Sequence, residues 1–323
     1  MFSLLGKRLL GSLPQLVAVT FLTYLLVDLA PGNYCDKLLE RPTVSEADIR
    51  ACQAYYGYDQ PFLVRYARWL GRALTGDFGM SFEYHRPVFA LIVERLGNTL
   101  FLAVTALVLS WTLALSLGVA SARRPYSWID KACGLLAYTG LSLPPLLLSI
   151  LALVLAFKTG WFPIGDTVSS WHSQAGFLGR AGDRLWHVLL PALVIAFTSM
   201  AGYMRQMRSS MLETLTQDFV RTARAKGLDE RVVVYRHAFV NAVNPLVTLF
   251  GYSLAHLLSG SFIVEVVMNW PGMARLTISA IQAQDEPVVM GAVVMATLLL
   301  VAGNLVADIL LAAVDPRIRL EAK

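Results

Sequence analysis

Six stretches of this chain are apolar enough, and long enough or nearly so, to cross a lipid bilayer, and that constraint governs what it can fold into. A helix crossing the hydrocarbon core needs about 20 mostly apolar residues. The stretches are 9–30, 99–120, 132–157, 186–204, 246–268 and 288–314. The fourth is the weakest, because Pro191 lies inside it and Arg205 ends it; proline is tolerated where neighbours satisfy the freed carbonyl. Only 15% of residues are charged and 56% are hydrophobic, against roughly 25% charged in soluble domains. Lipid must therefore be part of the solvent. The expected fold class is an all-α polytopic membrane protein with six transmembrane helices. Lys7 and Arg8 before an apolar run also fit a cleaved leader. That run is long enough to span, however, and no small-residue cleavage site follows it, which favours a retained first helix.

The loops orient the chain. Lys7 and Arg8, then Arg123, Arg124 and Lys131, then Arg205, Arg208, Arg221, Arg224, Lys226, Arg231 and Arg236, and finally Arg317, Arg319 and Lys323, all fall on one side. The opposite short loops carry only Lys158, Arg180, Arg184 and Arg275. The richer side is cytoplasmic, and both termini lie there. The net charge of +5 comes mostly from residues flanking spans and does not point to nucleic acid. The long loop 31–98 is then outside. It mixes aromatics with charges and reads as a small folded cap, with one helix over 46–56 capped by Ser45 and another over 61–74. Cys35 and Cys52 both lie in it. A disulfide between them and two free thiols are both open from the sequence, and Cys133 falls inside a span.

Enzyme chemistry has no support. No phosphate loop of the form G-x-x-x-x-G-K-[ST] is present, so the chain has no evident ATP site. No His/Cys cluster has zinc-ligand spacing, and His85, His172, His187, His237 and His256 are scattered. Nothing resembles a nucleophile elbow or a catalytic triad. The expectation is that this chain binds no cofactor or metal. Ionisable groups in the spans are functional candidates. Glu265, following Ser261 near the outer end of the fifth span, is a candidate for the transport path. Asn304 and Asp308 share a face of the sixth, where a helix-packing contact is the simpler reading. Pro144 and Pro145 should kink the third span.

The most basic segment, 205–245, contains QDFVRTARAKGLDERVVVYRHAFVNAVNPL at 217–246. Asp218 favours a helix start, Gly227 suits a left-handed helix stop, and Arg231 opens a second helix toward the fifth span. Alone, this reads equally as a basic loop lying on anionic lipid.

The order of residues here closely resembles the cytoplasmic loop of binding-protein-dependent ABC importer permeases, in the dipeptide, oligopeptide and nickel branch, B-type subunit. GDFGMSF at 76–82, ERLGNT at 94–99, GLSLPPL at 140–146, WPGMARL at 270–276 and AVDPRIR at 313–319 resemble further family motifs in the family's order. Arg221, Thr222 and Ala223 stand where the wider superfamily has Glu-Ala-Ala, whereas RTARAKGL is typical of the peptide branch. The resemblance implies a coupling helix, docked on an ATPase, involving Asp218, Arg221, Thr222, Ala223, Arg224, Ala225, Lys226, Gly227 and Leu228.

It further implies a permease of the bacterial cytoplasmic (inner) membrane, paired with a related permease subunit. Two ABC ATPase subunits would hold the ATP and magnesium, and an extracytoplasmic solute-binding protein would deliver a peptide. The implied organisation is a first helix in 1–30, a cap in 31–98, a five-helix permease core in 99–314 with the coupling loop at 205–245, and a tail at 315–323. Nickel chelates and glutathione-like conjugates are the alternative cargoes. A membrane-anchored ligand-binding or interaction protein, and a secondary transporter, are the alternative classes. The latter requires a mid-membrane chain of acidic residues that the spans lack.

Overall fold

The structure, a computed structural model, describes residues 2–36 and 45–314. The tail expected at 315–323, with most of AVDPRIR, lies outside the described residues. In chain order the helices are α1 (Phe2–Leu29), α2 (Glu46–Tyr56), α3 (Phe62–Ala73), α4 (Val88–Arg123), α5 (Trp128–Ser142), α6 (Pro145–Thr159), α7 (Phe177–Leu215), α8 (Asp218–Ala225) and α9 (Glu230–Val232). A π-helical turn, Val233–Ala238, leads into α10 (Phe239–Ala242), α11 (Asn244–Gly260), α12 (Phe262–Val267), α13 (Met273–Gln282) and α14 (Glu286–Val314).

Among the described residues, four helical segments are long and apolar enough to cross a membrane: Leu10–Asp36, Val88–Arg123, Phe177–Leu215 and Glu286–Ile309. The α5–α6 pair, bent by 109°, makes a fifth if it is one span. Leu143, at the bend, is extended, as expected of a residue whose following proline ring disfavours the helical region; Pro144 and Pro145 then start α6. Among the described residues, length and composition thus give four or five spans, against the six expected from the sequence. The stretch at 246–268 breaks at Ser261, leaving α11 with 17 residues and α12 with six. The long helices expose apolar side chains, among them Leu10, Leu22, Leu26 and Leu29 on α1 and Val104 and Val108 on α4. Such faces suit lipid and would be a liability in water.

The chain divides into two compact units, Met1–Asn98 with Pro271–Val301, and Thr99–Trp270 with Ala302–Lys323. Residues 271–301 thus group with the first 98 residues. In the first unit, Ser45 caps α2 through a reciprocal capping box with Asp48, satisfying donors that a helix start leaves free. Tyr66 and Trp69 of α3 bury against Tyr24 and Met290, and Arg65 of α3 pairs with Asp28. Cys35 and Cys52 form a disulfide. The buried Asp285 carboxylate accepts from the Ser81 hydroxyl and from the backbone N–H groups of Glu83 at 3.1 Å and Val288 at 3.4 Å. One side chain thereby holds the turn at 81–83 and starts α14.

The second unit is organised around α7. Its buried face, including Val188, Val194, Ile195, Met200, Met204, Met207 and Met211, enters three apolar clusters in succession. At its start, the Asp183 carboxylate accepts from the Ser169 N–H at 2.9 Å and hydroxyl at 2.7 Å and contacts His172 Nδ1 at 2.8 Å. Two of the scattered histidines thus have packing roles, since His187 Nδ1 also lies 2.9 Å from the Asp183 carbonyl oxygen.

Candidate functional site

The segment after α7 is a compact folded element. Gln217 enters α8 in an extended conformation without a side-chain cap, and Asp218 places a negative charge at the helix start, where the backbone dipole favours it. Thr222 hydroxyl donates to the Asp218 carbonyl at 2.9 Å. At helical i, i+3 spacing, Val220 is 0% and Ala223 5% exposed. Both enter one cluster with Met207 and Met211 of α7, Val119 and Ala122 of α4, and Val233, Val234 and Ala238 of the π turn. A helix of eight residues is too short to persist alone in water, so this buried edge is what holds α8 in place.

The helix stop is equally defined. Gly227 N–H donates to the Arg224 carbonyl at 2.9 Å, and Gly227 has φ +77° with no neighbouring atom within 4 Å of an added Cβ. The requirement for glycine is therefore one of backbone conformation. Across the turn, Arg224 donates to both oxygens of Glu230, Nε to Oε2 at 3.2 Å and the terminal nitrogen to Oε1 at 2.8 Å. The Asp229 side chain accepts from the Arg231 N–H at 2.8 Å and caps α9. Arg123 at the end of α4 lies over the Tyr235 ring, 5.9 Å from its centroid.

The Arg224 guanidinium holds the Glu230 carboxyl below the usual carboxylate range. A lowered folded value contributes stability above the unfolded glutamate value, near 4.3, and loses it as the pH falls through the folded value. Both side chains are about half exposed, which limits the pair to about 1 kcal/mol or less. Hydrogen exchange at Gly227, corrected for its intrinsic rate, should therefore be faster at pH 3.5 than at pH 6. Glu230→Gln should remove that difference, and an identical pH dependence in the variant would place its origin elsewhere.

Of the residues singled out in the sequence, Asp218, Arg221, Thr222, Arg224, Ala225, Lys226, Gly227 and Leu228 are exposed. Ala223 is turned inward and cannot contact a partner in this conformation. Phe219 and Leu228, each 40% exposed, add two apolar side chains to a surface otherwise carrying Arg221, Arg224 and Lys226. Val220 and Phe219 lie inside the run 218–228 assigned to coupling without separate roles, although the spacing of Val220 and Ala223 was available as a signal. Ser261 and Glu265 lie elsewhere in the second unit. Glu265 is 0% and Ser261 1% exposed, and the Ser261 hydroxyl donates to Glu265 Oε1 at 3.1 Å. The carboxylate therefore lines no open wall here. Among the described residues no group of three or more His, Cys, Asp or Glu is placed to hold a metal ion.

Residues 114–320 match the family described as binding-protein-dependent transport system inner membrane component. The chain is 40% identical to the oligopeptide transport system permease protein AppB of Bacillus subtilis (strain 168), over 97% of this chain and 98% of that protein. It is 38% identical to a putative peptide permease protein of Brucella suis biovar 1, over 97% of each. It is 36% identical to the glutathione transport system permease protein GsiC of Salmonella paratyphi A, again over 97% of each. A folded basic element on a bundle of apolar helices, a family match over more than half the chain and full-length relatives agree: the chain belongs to the binding-protein-dependent transport system inner membrane component family, and is a multi-pass permease subunit of an ABC importer rather than an enzyme.

Proposed function

We propose that this chain is the B-type permease subunit of a peptide importer in the bacterial inner membrane. It pairs with a related permease subunit, and the path runs between the two. Residues 205–245 and both termini face the cytoplasm, and the cap in 31–98 faces outward, toward a solute-binding protein. The Cys35–Cys52 disulfide supports that orientation, since disulfides persist in oxidising compartments. Two ATPase subunits carry the ATP and magnesium.

The observation that carries this reading is the build of α8. Its inner edge is locked into the permease by Val220 and Ala223, its end is fixed by Gly227, and its outer face is left exposed. A rigidly seated helix transmits the closure of an ATPase pair, whereas a loop held only on lipid would dissipate it. The exposed Phe219 and Leu228 between basic side chains suit a groove with an apolar floor and an acidic rim. Glu265 and Ser261 would meet cargo only in a conformation that opens α12.

The test is labelled-peptide uptake and ATPase activity in the reconstituted full complex. Gly227→Pro is incompatible with φ +77° and removes the Gly227 N–H donor, so uptake should fall at least tenfold with the ATPase uncoupled or the complex weakened. Gly227→Asn, which tolerates the left-handed region, should retain uptake. Unchanged uptake in Gly227→Pro would remove the coupling role. Glutathione uptake without peptide uptake by the unaltered complex would reassign the cargo, in line with the glutathione permease among the relatives.

A further inference from the structure

On the flank of α7 next to the face that seats α8, Arg208 makes a two-pronged contact with Asp130 of α5, Nε to Oδ1 at 2.7 Å and the terminal nitrogen to Oδ2 at 2.8 Å. The same carboxylate accepts from the Ser121 hydroxyl of α4 and from the Tyr126 N–H at 2.8 Å. The Asp130 side chain is 9% exposed. Three helices thus meet on one charged group, and two of them, α4 and α7, also wall the socket of Val220 and Ala223.

From this point α5 and α7 run together. Arg205 lies over the Tyr138 ring, 5.4 Å from its centroid. Cys133 and Ala137 pack against Met200, Ala201 and Met204. At Gly140 the backbones approach so closely that a Cβ would sit 2.7 Å from the Phe197 carbonyl oxygen. Beyond Gly140 lies the 109° break into α6. A displacement received by α7 from α8 can therefore reach the broken helix along this seam, and Asp130–Arg208 is its fixed end.

We propose that Asp130 and Arg208 are positioning residues for coupling: their ion pair makes α5 move with α7, so that displacement of α8 is delivered to the α5–α6 break. This rests on the coupling reading of α8. Asp130 is buried and the Arg208 side chain is 33% exposed; such a pair adds little net stability over an apolar pair of similar size, and its use is in fixing register. Two flat groups joined by two hydrogen bonds also resist sliding and rotation, which apolar contacts tolerate. The apolar seam holds α5 against α7 at rest, and the ion pair keeps it in register under load.

Cys133, one turn beyond Asp130, is a buried free thiol within the seam, and the chain's other two cysteines are joined. Its alkylation by a membrane-permeant maleimide, read by peptide mass spectrometry, reports separation of α5 from α7 without reference to cargo. The assembled complex would be compared without nucleotide and trapped with ATP and vanadate. The unaltered protein should be protected in both states. Arg208→Met should be protected at rest and alkylated at least tenfold faster when trapped, with peptide taken up per ATP hydrolysed reduced at least tenfold. Asp130→Asn should behave alike and carries the comparison if Arg208→Met fails to assemble. Unchanged alkylation in the trapped state would overturn the proposal. So would equal acceleration at rest and when trapped, which marks a merely structural pair. If the unaltered complex takes up no peptide, the cargo reading fails while the alkylation result still decides this one.

Discussion

Val220→Asp should release α8 from the permease and abolish uptake while leaving the remainder of the protein in the membrane. Val220 is 0% exposed among Met207, Met211, Val233 and Val234. Burying an unpaired carboxylate there costs at least about 3 kcal/mol, more than an eight-residue helix recovers from its own hydrogen bonds. Hydrogen exchange over 218–225 in the assembled complex should accelerate on the order of 100-fold, since about 1.4 kcal/mol is tenfold. Phe219→Ala, on the outer face, is the informative companion. It should leave exchange over 218–225 in the isolated permease unchanged and weaken ATPase association. If Val220→Asp leaves exchange unaltered, α8 is held by something other than its buried edge.

Asp285→Ala should be the most damaging single change in the first unit. The aspartate is 0% exposed and serves three donors, at Ser81, Glu83 and Val288. Alanine leaves the buried Val288 N–H at the start of α14 and the part-buried Glu83 N–H without this acceptor, at about 1–3 kcal/mol each. The sum is about 2–6 kcal/mol, and the measurements are yield of folded protein and heat resistance in detergent. Asp285→Asn keeps one acceptor oxygen and should fall between the two. Wild-type heat resistance in Asp285→Ala would mean that the turn at 81–83 is held by other contacts.

Much of the candidate site was legible because its signals are local. Gly227 in RTARAKGL announced a helix stop, and its φ of +77° is the conformation that stop requires. Ser45 before Glu46 announced α2, and Ser45 caps it. Pro144 and Pro145 announced a kink, and the chain turns by 109° there. The side of α8 that faces inward was readable in principle from the i, i+3 spacing of Val220 and Ala223, whereas the family motif carries no burial information.

The sequence by itself determined the membrane as solvent, the helices and the positions of their caps and kinks, because apolar runs, prolines and positive-φ glycines act within a few residues of themselves. Only the tertiary structure decided which side chains complete one another. Arg208 meets Asp130 across a separation of 78 residues, Asp285 meets Ser81 across 204, Cys35 pairs with Cys52, and Glu265 is sealed rather than presented to an open path. A charged residue in a sequence specifies that a partner is needed if it is buried, but not which one. That choice is made when helix packing sets the few distances short enough for a hydrogen bond.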